Sequence, residues 1–165
     1  MANLSSSEDL IRVKGSDRIQ IINILAAVSI TILSVLLGLS GQTFSNWMVV
    51  QLAASTPLLI TASLAYAKTC YRPGREFRLW DRLGWVTLSL GYGLILNMLA
   101  LLLFTGGYPL ATGAFMATVM ILFVVYSALD VAARGARLEE KLWKLIFYLV
   151  LLGAGSLLPI AAGWV

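Results

Sequence analysis

Residues 83–104 read LGWVTLSLGYGLILNMLALLLF, without one charged side chain. A helix of that length rises about 33 Å at 1.5 Å per residue, enough for a hydrocarbon core of about 30 Å. Directly after it come Thr105-Gly-Gly-Tyr-Pro109 and a second apolar run of the same length, residues 108–129. Two glycines suit a turn, and proline suits the first position of a helix. The pair therefore predicts two antiparallel membrane spans joined by a tight connection.

Outward from this hairpin, further apolar runs occupy residues 19–40, 47–68 and 142–162. The expected fold is an all-α integral membrane protein, a bundle of five transmembrane helices forming one domain over residues 1–165. Residues 1–18 form an N-terminal segment outside the bilayer. Composition agrees: 59% of the chain is hydrophobic and 12% charged, against about 45–50% and about 25% for soluble domains. A water-facing surface cannot be built from so few charges. The first apolar run is also too long for the h-region of a signal peptide, about 7–15 residues.

Orientation follows from the basic residues. Arg12, Lys14 and Arg18 precede the first span; Lys68, Arg72, Arg75, Arg78 and Arg82 lie between the second and third. Arg134, Arg137, Lys141 and Lys144 lie between the fourth and fifth, and these twelve are all the Lys and Arg in the chain. Segments 41–46, 105–107 and 163–165 carry no charge. Positive segments resist translocation, so the N-terminus is expected in the cytoplasm and the C-terminus outside. A net charge of +4 thus reflects topology, and no nucleic-acid partner is expected. Trp47, Tyr108 and Trp164 fall at one predicted interface; Tyr71, Trp80, Trp85 and Trp143 fall at the other, as amphipathic rings should. Short loops and an uncharged outer side suit a prokaryotic inner membrane.

The N-terminal segment carries Ser5-x-x-Glu8, a capping-box pattern, then Leu10, Ile11 and Val13. A short interfacial helix is expected there, stopped at Gly15, with Ser16 or Asp17 capping the first span.

Much chemistry is excluded. The chain has no His and a single cysteine, Cys70, so triads with histidine, His-based metal sites and internal disulfides are unavailable. No acid or base sits at midspan, where a buried charge would mark a proton or ion path. Asp130, at the end of the fourth span, can pair with Arg134 one turn on, with Tyr126 one turn back. A helix-end ion pair is the expected role. Neither a cofactor nor a metal nor an enzymatic activity is expected.

Three features remain as candidate sites. Asn23, Ala27, Thr31, Ser34 and Gly38 recur at steps of three and four along the first span; Ser89, Gly93 and Asn97 do so along the third. Each set shares a stripe, expected at helix contacts, where small residues permit close approach and polar ones hydrogen-bond. Lining of a cavity is the competing role. Pro57 interrupts the backbone bonding of the second span as a hinge or static kink, with Ser55, Thr56 and Thr61 near enough to satisfy freed carbonyls. Arg72, Arg75, Arg78, Trp80 and Arg82 form an interfacial segment suited to anionic lipid headgroups. The functional expectation is a non-enzymatic protein acting through helix association, as an accessory subunit of a membrane complex or as a homo-oligomer. The alternative is an oligomeric channel or carrier for an uncharged or lipidic ligand.

Overall fold

The computed structural model describes residues 2–38, 45–71, 75–134 and 138–164, with side chains described except at 2–15, 71, 75, 133, 134 and 140. Its elements are α1 (Ala2–Gly38), α2 (Asn46–Tyr71), α3 (Arg75–Thr105), α4 (Pro109–Arg134), α5 (Leu138–Leu152), a π-helical turn (Gly153–Leu157) and α6 (Leu158–Ala161). No strand occurs among the described residues. Five helical stretches are long and apolar enough to cross a membrane: Ser16–Gly38, Asn46–Cys70, Glu76–Thr105, Pro109–Ala132 and Lys141–Ala161.

Two helices extend well beyond the apolar runs. α1 continues unbroken through Gly15, where a stop was expected. One glycine costs only about 1 kcal/mol relative to alanine in a helix interior, and extending an existing helix is far easier than nucleating another. α3 begins at Arg75, so the basic segment expected as an interfacial connection is helical from there to Arg82. Pro73-Gly74 precedes it in sequence, and Glu76 in the first turn complements the positive helix end.

The α3–α4 connection forms as the sequence predicts. Tyr108 N–H donates to the Leu103 carbonyl at 3.0 Å and Gly107 N–H to the Phe104 carbonyl at 3.0 Å, while Gly107 has φ +85°. This is a Schellman closure, which requires the left-handed conformation that glycine adopts without a Cβ penalty. The same closure ends α6: Trp164 N–H meets the Pro159 carbonyl at 3.0 Å, Gly163 N–H meets that of Ile160 at 3.2 Å, and Gly163 has φ +66°.

Two compact units are present. The first comprises Met1–Phe44 and Leu52–Tyr92. On α1 it buries Ile22, Ala26, Ser29 and Leu36, whose near-helical spacing puts them on one face. The Ser29 hydroxyl lies 2.7 Å from that of Ser55 and 3.2 Å from that of Thr56. Between α2 and α3, Gly84 and Gly91 make the close approaches. A Cβ at Gly84 would stand 3.1 Å from the Tyr66 ring, and one at Gly91 3.0 Å from Leu59. Tyr66 and Leu59, like Gly84 and Gly91, are seven residues apart and share a face. Arg18 donates to Asp81 at 3.2 Å and lies 5.1 Å from the Tyr66 ring centre.

The second unit comprises Ser45–Gln51 and Gly93–Val165. Between α4 and α5, Phe123 stacks on Tyr148 with ring centres 4.4 Å apart. Lys141 pairs with Asp130 and lies 5.9 Å from the Tyr126 ring centre. The Asp130 ion pair is thus made across to α5; the Arg134 side chain expected beside it lies outside the described residues.

Candidate functional site at the break in the fifth span

Pro159 organises the most polar buried cluster of the second unit. Proline has no N–H, so the carbonyl four residues earlier, Gly155, loses its α-helical donor. The backbone widens into the π turn Gly153–Leu157, and Leu158 N–H bonds to the Gly153 carbonyl. Turns of this kind inside α-helices recur at functional sites. Side chains from α2 supply what Pro159 withholds. Gln51 Nε2 donates to the Gly155 carbonyl at 2.7 Å, and Trp47 Nε1 donates to the same oxygen at 3.2 Å.

α3 reaches the break from another direction. Asn97 Nδ2 donates to the Leu151 carbonyl at 3.0 Å. Gly155 is glycine because a Cβ there would overlap the Asn97 carboxamide; one at Gly93 would likewise overlap the Leu151 side chain. Ser156 is fully buried and donates to the Leu152 carbonyl at 2.7 Å, with the Met116 sulfur 3.9 Å away.

Two atoms of the cluster accept nothing. Gln51 Oε1 and Asn97 Oδ1 are closed to solvent and receive no hydrogen bond from any described residue. Gln51 is 3% exposed and Asn97 0%, so both oxygens sit in the apolar interior, where an unmade bond costs about 1–3 kcal/mol. Turning either amide over does not help, since it would set a side-chain oxygen against the backbone carbonyl its nitrogen now serves.

The structure distributes the residues singled out from sequence unevenly. On α3, Ser89, Gly93 and Asn97 are buried, and the last two pack against α5 at the break. On α1, Asn23, Ala27, Thr31, Ser34 and Gly38 are all exposed. Asn23 accepts from Ser63 at 2.9 Å, while Thr31 and Ser34 return their hydroxyls to the Ala27 and Ile30 carbonyls of their own helix. Ser29, two positions off that stripe, makes the buried α1–α2 contact. α2 runs helically through Pro57; Ser55 donates to the Leu52 carbonyl at 2.7 Å and Thr61 to that of Pro57 at 2.8 Å. Arg78 and Arg82 are exposed and Trp80 is half-buried, whereas the side chains of Arg72 and Arg75 lie outside the described residues. Cys70 is a free, half-buried thiol. Among the described residues, no group of three His, Cys, Asp or Glu could hold a metal ion.

Sequence reasoning missed Gln51 and Trp47 as partners of Gly155. Pro159 was the available signal, because it frees a carbonyl at a fixed offset, but the donors come from a helix about a hundred residues away in the chain. No family model, curated protein or solved structure matches this chain.

Proposed function

We propose that the chain is an integral membrane protein, N-terminus cytoplasmic and C-terminus outside, of a prokaryotic inner membrane. It works without catalysis, by associating through its helices as an accessory subunit of a membrane complex or as a homo-oligomer. The observation that carries this reading is the surface of α4. Only 6% of an apolar 18-residue stretch of Pro109–Ala132 is buried within the chain, against 56% for the corresponding stretch of Glu76–Thr105. The outward side of α4 contains Leu110, Gly113, Ala114, Ala117, Thr118 and Ile121, the spacing of one helical face. A Cβ at Gly113 would meet nothing within 4 Å. Small residues at such spacing let a neighbouring backbone come close, which is how helices associate without a hydrophobic gradient between them. Bulkier side chains would serve lipid contact alone equally well.

The test is the mass of the protein in mild detergent, with any companion retained. The wild type should run as an assembly, and Gly113→Leu with Ala117→Leu should reduce it to single chains that melt at the wild-type temperature. A wild-type monomer without companion overturns the reading.

An oligomeric channel or carrier for an uncharged or lipidic ligand is the second reading. It draws on the exposed α1 stripe, whose Asn23, Thr31 and Ser34 would face a shared path in an oligomer. Liposome flux that falls in Asn23→Leu with unchanged melting would favour it, since an apolar constriction promotes dewetting.

A further inference from the structure

We propose that Arg78 and Arg82, on the first turns of α3, form a binding site for the headgroup of an anionic phospholipid. Both side chains are exposed, and neither guanidinium has a hydrogen bond or ion pair with a described residue. The nearby acids do not serve them. Asp81 is held by Arg18 at 3.2 Å, and Glu76, two residues before Arg78, lies on another side of the helix. The two arginines are four residues apart, neighbours on one face with about 5–6 Å between their Cβ atoms. Two guanidinium forks at that spacing can hold one phosphate group between them.

Depth and surroundings select a lipid. The uncharged stretch of α3, residues 83–104, ends at Arg82. Arg78 stands one turn further out, about 6 Å at 1.5 Å per residue. The polar layer of a bilayer is about 5–7 Å thick on each side, so both guanidinium groups fall at the level of the lipid phosphates. Leu79 and Leu83, each one position on, are 67% and 40% exposed and offer an acyl chain a path beside the arginines. A soluble phosphate gains nothing from these leucines, and a phosphatidylcholine brings a cation of its own to the site. Lys68 is a built-in comparison. Tyr66 lies against Gly84 and Leu59 against Gly91, an antiparallel register that sets Lys68 level with Arg82. Lys68 is exposed and equally unpaired, but two residues on from Tyr66 it faces away from α3. The site rests on the proposed placement of the chain in a membrane and is independent of its orientation and of association.

Native mass spectrometry of the full chain, released from detergent micelles with added phosphatidylglycerol or phosphatidylcholine, tests it. The wild type should bind the first phosphatidylglycerol several-fold more tightly than phosphatidylcholine, and the preference should fall as ammonium acetate is raised. Arg78→Gln and Arg82→Gln should each weaken phosphatidylglycerol binding about fivefold, the worth of one basic residue at a membrane surface. Lys68→Gln should leave it near the wild-type value. Glycerophosphoglycerol, the same headgroup without chains, should not compete. Equal binding of the two lipids overturns the proposal, as does an equal loss in Lys68→Gln, which is the mark of diffuse surface charge. Displacement by glycerophosphoglycerol assigns the pair to a soluble anion and overturns the lipid. If an arginine variant does not fold, the lipid preference of the wild type and the headgroup competition still decide. A chain that stays dispersed in buffer without detergent or lipid overturns the membrane reading itself; one that needs detergent but shows no lipid preference overturns this site alone.

Discussion

Gln51 stands 2.7 Å from the Gly155 carbonyl and replaces, from α2, the backbone donor that a proline four residues further on cannot provide. The bond ties the start of α2 to the π-helical turn of the fifth span. Its strength should depend on what residue 159 is.

Gln51→Leu should cost about 1 kcal/mol, a typical net value for one hydrogen bond. In a Pro159→Ala background the restored N–H can reach Gly155, so the same substitution should cost less. Thermal melting of the four proteins gives the coupling, expected within about 0.5–3 kcal/mol. Equal costs in both backgrounds would show that residue 159 and Gln51 do not share the carbonyl.

Glycines of the fifth span should differ sharply. Gly155→Ala drives a methyl into the Asn97 carboxamide and should lose about 1–3 kcal/mol through overpacking. Gly153→Ala meets nothing within 4 Å and should be neutral or gain up to about 1 kcal/mol from lower backbone entropy. Melting temperatures in one detergent rank the two; a reversed order would contradict the close α3–α5 approach.

How much of this was legible beforehand depended on the length scale. The five spans could be read because apolar length against bilayer thickness is a local property, and the Gly106–Pro109 turn because its chemistry is local too. Facing was not legible. In a bilayer both the outer surface and the interior are apolar, so the small and polar stripe of α1 carries no mark of its direction. It points outward, while Ser29 meets Ser55 and Thr56 inside. Gly84 and Gly91 give no sequence signal for a similar reason. Their role lies in Tyr66 and Leu59 of another helix, which no periodicity within α3 reveals.

The Arg18–Asp81 and Lys141–Asp130 ion pairs should separate by burial. Arg18 and Asp81 have side chains 52% and 44% exposed, and their coupling by double-mutant cycle should lie at or below about 1 kcal/mol and fall with salt. Lys141 and Asp130 are 16% and 11% exposed. Lys141→Met should therefore cost more than Arg18→Met, about 1.5–3 kcal/mol, because it removes a charged hydrogen-bond partner from a largely buried carboxylate. Chemical unfolding of both series decides the order.

Orientation is open to cysteine scanning in a Cys70→Ser background. Single cysteines at positions 42–46 and 105–107 should react with an impermeant thiol reagent added outside intact cells. Those at 72–82 and 134–141 should react only after lysis. External labelling of the basic segments would invert the topology.

The Gly106–Tyr108 connection has a consequence for biogenesis. Only three residues separate α3 from α4, too few for α3 to settle in the bilayer while its successor waits in water. In the proposed topology the two leave the insertion machinery as one helical hairpin, with an uncharged tip that crosses at little cost. Asn97, an expensive residue for a lone segment to carry into lipid, would then enter alongside α4, which bears no charge until Asp130. Lengthening the tip with a flexible insert should uncouple the pair and leave α3 dependent on its own hydrophobicity for partitioning.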